Sequence, residues 1–154
     1  MRTSVDVHTH LVAHEIPHEL VALPGRLRSP TDIADVLELP RARVGRVMIY
    51  ESDACPVAAL VASHREPDPA KVSAELEVGE ITPVGPSRVS QLTDYLHDAV
   101  PPVGLPSGFA VVADRQLATE EVVYFFAGEA ATILKIRGSD LLASDGIVVA
   151  DIAA

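Results

Sequence analysis

The sequence predicts an α+β fold with a mixed, largely antiparallel sheet, and three observations carry that expectation. Two apolar runs, 44–51 and 56–63, flank a polar tip of Ser52-Asp53-Ala54 and read as a β-hairpin. The second half of the chain holds strand-like runs near 109–113, 121–126, 132–137 and 146–152, with one short helix, 139–143, between the last two. The helices expected earlier do not alternate regularly with strands, which argues against a βαβ order.

Each element has its own warrant. Val5, Val7, Thr9 and Leu11 alternate with Ser4, Asp6, His8 and His10, the period of a half-buried strand. Pro17, Pro24 and Pro30 punctuate a region of short helix or loop. Ser29-Pro30-Thr31-Asp32 reads as a helix start, with a capping serine, a proline at the first helical position and an acid completing a capping box. That helix carries Ile33, Val36 and Leu37 inward and stops before Pro40. Asp68-Pro69 repeats the signal and opens a helix through Leu76. Gly85-Pro86-Ser87 opens another, in which Val89, Leu92, Tyr95 and Leu96 share an apolar face. A proline-stiffened loop, 100–108, follows.

Composition narrows the function classes. The chain has 154 residues, 48% apolar and 22% charged, which suits one globular domain over 1–154. Twelve Lys and Arg against 22 Asp and Glu give a net charge of −10, so any contact with nucleic acid is expected to be local. No apolar run approaches the ~20 residues of a membrane span, the N-terminus lacks a signal-peptide apolar region, and the single Cys55 forms no internal disulfide. A soluble, cytoplasmic protein with no membrane contact is expected.

Several motifs invite a chemical reading. His14-Glu15-Ile16-Pro17-His18 matches the H-E-x-x-H zinc pattern, but Pro17 belongs in a helix's first turn, which leaves His14 outside it and separates the two imidazoles. Asp6-Val7-His8-Thr9-His10 is similar to the metal-binding strand of amidohydrolases. Those enzymes need a (β/α)₈ barrel of ~250 residues, which this chain is too short to form. On a strand the two imidazoles would still share a face. Cys55, beside Pro56, has no activating base adjacent in sequence and reads as a loop thiol. Arg26, Arg28, Arg41, Arg43 and Arg46 fall in one stretch, which reads equally as a phosphate-binding patch or as a solvated face of paired charges. Arg46 stands apart because it lies inside the apolar strand, on a face with Val44 and Met48, where a cation must snorkel out or enter a polar pocket. In the 100–108 loop, three prolines fix φ and two glycines relax it, a design that serves either to aim backbone groups at a ligand or to connect helix and sheet rigidly.

The order of these features resembles the YbaK/prolyl-tRNA-synthetase-associated domain family of free-standing aminoacyl-tRNA editing proteins. The likeness runs from about Ser29 to Ile152. The helix 30–39 followed by Val44-Gly45-Arg46 looks like the family's helix and V-x-K strand. Val100-Pro101-Pro102-Val103-Gly104-Leu105-Pro106 looks like its V-S-P-x-G-x-P loop. Phe109 to Asp114 is similar to the strand ending in Asp, and Glu121-Val122-Val123-Tyr124 and Val149-Ala150-Asp151-Ile152 also fit.

The resemblance implies a barrel-like α+β domain that hydrolyses the ester of mischarged tRNA in trans, without metal or organic cofactor. It implies the tRNA acceptor end as partner, and an aminoacyl-tRNA synthetase as a further one. Arg46 takes the position of the family's lysine. It keeps the charge and offers a bidentate fork, but cannot act as a base near neutral pH. The segment Asp98, Ala99, Val100, Pro101, Pro102 and Gly104 is implied as the substrate wall, with Asp98 where the family has glycine. A carboxylate there crowds the pocket, pairs with Arg46 or orients water, and the sequence leaves these open. Phe126 and Ile133 stand where the family has small and polar residues, so the pocket is expected to be more apolar. The alternative is a binding module of the same fold that holds an aminoacyl or nucleotide-like ligand, or a synthetase, without turnover.

Overall fold

A computed structural model describes residues 1–154. In chain order it contains α1 (Ser4–Ala13), β1 (His18–Ala22), α2 (Pro30–Leu37), β2 (Gly45–Glu51), β3 (Pro56–Ala62), α3 (Pro69–Leu76), β4 (Thr82–Pro83) and α4 (Pro86–Thr93). Then follow β5 (Ala110–Asp114), β6 (Val122–Glu129), β7 (Thr132–Arg137), α5 (Gly138–Leu142) and β8 (Ile147–Ala150). Two sheets result, a three-stranded antiparallel one ordered β1-β7-β6 and a five-stranded one ordered β4-β2-β3-β5-β8. β2 runs antiparallel to β3 and β4, whereas β3–β5 and β5–β8 are parallel. A parallel bridge from Val44 to Tyr124 joins the sheets at one corner. The expected mixed, largely antiparallel α+β architecture is therefore present. No helix is long and apolar enough to cross a membrane.

The hairpin forms as the sequence predicts, with Gly45 opposite Ala62 and Glu51 opposite Pro56. At its tip the Ser52 hydroxyl donates to the Cys55 carbonyl at 2.7 Å. β3 is apolar throughout because both its faces are covered. Ala58 and Leu60 enter the core between the sheets, while Val57, Ala59 and Val61 pack toward Val72 of α3. The Ser29–Asp32 capping box opens α2, and the Asp68 side chain caps α3 through Ala70 N at 3.0 Å. α4 is shorter than the apolar spacing predicts. Asp94 turns left-handed at φ 62°, so Tyr95 and Leu96 lie beyond the helix, with Tyr95 fully buried.

Two expectations are corrected at the N-terminus. Residues 5–11 form the helix α1 rather than a strand. Val7 and Leu11, one helical turn apart, are fully buried, whereas Val5 is exposed. The decisive signal is local: Thr3 and Asp6 form a capping box, with Asp6 Oδ2 accepting from Thr3 N at 2.8 Å. The region 18–22, expected as helix or loop, is strand β1, an edge of the smaller sheet. His14 thus ends α1 and His18 opens β1, so H-E-x-x-H never shares a helical face. His8 and His10 likewise sit on a helix rather than together on one face of a strand. No group of three or more His, Cys, Asp or Glu side chains is arranged to hold a metal ion.

Candidate functional site

A cleft of about 190 Å³ opens between the start of β2, the turn into α2, the segment after α4 and the middle of β6. Its walls include Arg46, Met48, Arg28, His97, Asp98 and Phe126. The apolar back of the cleft depends on Gly45. A methyl group there would stand 2.0 Å from the Phe125 ring, so only glycine lets that ring lie against β2. Strand alternation then sends the next side chain, Arg46, to the face it shares with Met48, as its position in the strand predicts. Arg46 Nη2 lies 2.8 Å from Met48 Sδ.

The charges are arranged in two separate pairs. Arg46 Nη1 donates to Glu66 Oε1 at 2.7 Å; the Arg46 side chain is 24% exposed and that of Glu66 65%. Asp98 is 29% exposed and faces Arg26 Nη2 at 3.9 Å, a contact too long for a hydrogen bond, with Arg26 70% exposed. Arg46 and Asp98 therefore share the cleft without pairing with each other. Tyr50, buried further along β2, has its phenol pKa pushed up by burial, with Glu66 adding to the rise and Arg46 opposing it. Of the other clustered arginines, Arg43 pairs with Glu120 at 3.6 Å, while Arg28 and Arg41 make no ion pair.

The residues expected to form the substrate wall divide between two places. Asp98 and Val100 line the cleft with Arg46 and Phe126. Ala99 and Ile133 lie beneath it, fully buried in a cluster with Phe126, Val44 and Ile33 of α2. Phe126 and Ile133 are cross-strand partners, which holds both under the same wall. Pro101 is buried and lines neither cavity, and Pro102 and Gly104 line a second cavity of about 160 Å³ instead. There the loop meets α1 and the turn before β8, at His10 and Asp145. Gly104 adopts φ +75°, and its carbonyl accepts from Tyr95 Oη at 2.9 Å and Arg2 Nη1 at 2.8 Å. Burial pushes the Tyr95 phenol up to about 12, with Arg2 opposing. Burial, and after it the stacked His14, holds His10 below its ordinary pKa.

Sequence reasoning did not find Glu66 or the Ser29–Pro30 turn as parts of this surroundings. Glu66 carries no local mark; it reaches Arg46 because the chain between β3 and α3 pairs with the C-terminus at Pro67 and Ala153. Arg28 and Ser29 were visible only as a cation and a cap, and it is the packing of α2 on β6 and β7 that brings them to the cleft.

Two packed sheets joined at Val44, with a cationic strand residue and a carboxylate lining one cleft, define the α+β class to which the chain belongs. The family model for the aminoacyl-tRNA editing domain matches residues 26–143, and the chain belongs to that family. Among solved structures, hypothetical protein APE2540 superimposes with a TM-score of 0.90 at 23% identity, over 97% of this chain and 99% of that one. A protein proposed as a trans-editing enzyme for prolyl-tRNA synthetase superimposes with a TM-score of 0.86 at 22% identity, over 100% of this chain and 98% of that one. These two likenesses establish the fold. No curated protein matches the sequence.

Proposed function

We propose that the protein is an aminoacyl-tRNA deacylase that acts in trans, hydrolysing the ester of mischarged tRNA in the cytoplasm. The observation that carries this reading is the partly buried Arg46 guanidinium in a cleft of a chain that belongs to the editing-domain family. In the reaction, water adds to the ester carbonyl, the bond to the terminal ribose oxygen breaks, that oxygen takes up one of the water's protons, and the amino acid leaves as its carboxylate with the other proton released to solvent. Arg46 serves as a charge clamp on the carbonyl oxygen or on a nearby phosphate. It does not act as a base, because guanidinium keeps its proton. Catalysis then rests on holding the ester and the water in position and on stabilising the developing oxyanion. The wall at Asp98, Ala99 and Val100, with Phe126 and Ile133 behind it, sets what amino-acid side chain is accepted. Arg28 and Arg41, free of carboxylate partners, suit the phosphates of the acceptor end.

One observation favours a second reading. Glu66 already occupies one nitrogen of Arg46, as expected of a binding module that holds an aminoacyl ligand or a synthetase without turnover. A panel of mischarged tRNAs separates the two. Release of amino acid from at least one member supports the deacylase. A folded protein that binds a charged tRNA yet releases nothing from any of them supports the binding module.

A further inference from the structure

We propose that Asp98 makes the cleft selective for a free α-ammonium group, so that its ligand is an amino acid linked through its carboxyl carbon and unmodified at nitrogen. The inference rests on the functional reading above only for the ester; the recognition of the ammonium follows from the cleft itself.

Asp98 sits in the wall with Arg46 on another, and neither neutralises the other. No hydrogen bond from the protein reaches either Asp98 carboxylate oxygen, and its one cation, Arg26, stands 3.9 Å away on an exposed side chain. A carboxylate flanked by buried Ala99 and Val100 and close to buried Phe126 gains from a partner that can donate directly to it. The Arg46 partner, Glu66, is also largely exposed and can be exchanged for a ligand oxygen.

An aminoacyl ester presents the matching pattern. Its α-amine is protonated below about pH 8, and it is attached to the carbon next to the carbonyl. With the carbonyl oxygen or the neighbouring phosphate on the guanidinium, the ammonium is assigned to the Asp98 carboxylate that lines the same cleft. Arg28 and His97 also face the cleft. Neither pairs with the Asp98 carboxylate, whose one ion-pair partner is Arg26. An N-acylated or peptidyl ester carries no such charge and leaves Asp98 unpaired, which penalises its binding.

The test uses the full chain and stable amide analogues, 3′-aminoacylamino-3′-deoxyadenosines bearing alanine, serine, cysteine or proline, each with a free and an N-acetylated amine. Calorimetry is expected to show at least one free-amine analogue binding ~10-fold or more tightly than its acetylated form. The preference should fade as the pH is raised past the titration of the amine. Asp98→Asn should abolish it, weakening the free-amine form while the acetylated form binds no more weakly than to the parent, and Asp98→Glu should restore part of it. Equal affinities for the two forms, a preference untouched by Asp98→Asn, or no binding of any analogue would each overturn the proposal. Deacylation of the tRNA panel is scored separately. A free-amine preference without turnover sinks the deacylase reading alone. Turnover of free and N-acetylated aminoacyl-tRNA at the same multiple of their spontaneous rates sinks the ammonium recognition alone.

Discussion

The cleft at Arg46 and the cavity under Gly104 are of similar volume, about 190 and 160 Å³, and the single segment 98–109 contributes to both. They differ in charge. The first sets a guanidinium and a carboxylate in one wall system, each ion-paired only with an exposed partner. The second is lined largely by loop residues, with His10 and Asp145 its titratable side chains. The lesson is that one chain segment serves both places, while the strand or helix that it meets decides what chemistry is available. Facing β2, the segment meets a cation; facing α1, it becomes a brace, with Tyr95 and Arg2 tying the Gly104 carbonyl to the body of the protein.

The largest expected effect lies in the first cleft. Arg46→Ala should lower deacylation ~100-fold, comparable to removing one oxyanion donor, while Arg46→Lys retains most of the rate because the positive charge stays. Single-turnover assays on a sensitive mischarged tRNA read this directly, and an alanine variant with undiminished rate would show that the cleft is not where the ester sits. Next, Gly45→Ala should cost about 1–3 kcal/mol by forcing the Phe125 ring off β2, seen as a lower Tm. A variant as stable as the parent would mean that the ring has other room, and that the back of the cleft is plastic.

Two smaller effects probe the brace. The Tyr95 phenol titrates near 12 in the folded protein against an ordinary value near 10. The native state thus holds this proton more tightly than the unfolded chain. Its contribution is complete below pH 10 and is lost as the pH rises through 12. Tyr95→Phe should cost about 1 kcal/mol at neutral pH through the missing bond to Gly104 and flatten the alkaline fall in stability, measured by urea titration at pH 8 and pH 11. His10 has the opposite sense. Its lowered pKa means that the unfolded chain takes up the proton first as pH falls, so stability declines below about 6.5. His10→Gln should make that acid limb shallower, and an unchanged slope between pH 7 and 5 would assign the decline to other groups. The smallest change is expected from Asp145→Asn in the second cavity, which should leave deacylation within about 2-fold, as for surface groups outside the chemistry. A loss there as large as that of Arg46→Ala would erase the distinction between the two cavities.

Much of this architecture is legible locally. The Ser29–Asp32 box, the Asp68-Pro69 start and the Ser52–Cys55 tip are closed by bonds within a few residues, so their sequence signals suffice. The N-terminal error is instructive for the same reason. Val7 and Leu11 satisfy both a two-residue and a four-residue period, and only the Thr3–Asp6 cap separates them. β1 and β4 escaped notice because each is an edge strand, stabilised by a partner far along the chain: His18 pairs with Ile136, and Thr82 with Glu51.

For the site, the primary structure already holds the ingredients: a cation inside an apolar strand, a carboxylate entering a proline-stiffened loop, and aromatic bulk at Phe126. Alternation along β2 also set the shared face of Arg46 and Met48, since side-chain direction in a strand follows from the backbone period alone. The pairings came from long-range packing. Glu66 took Arg46 and Arg26 approached Asp98. The segment around position 100 was divided between two cavities, because these contacts join residues that no local bond connects. Their distances depend on how the two sheets pack across a common core, which a one-dimensional pattern does not contain.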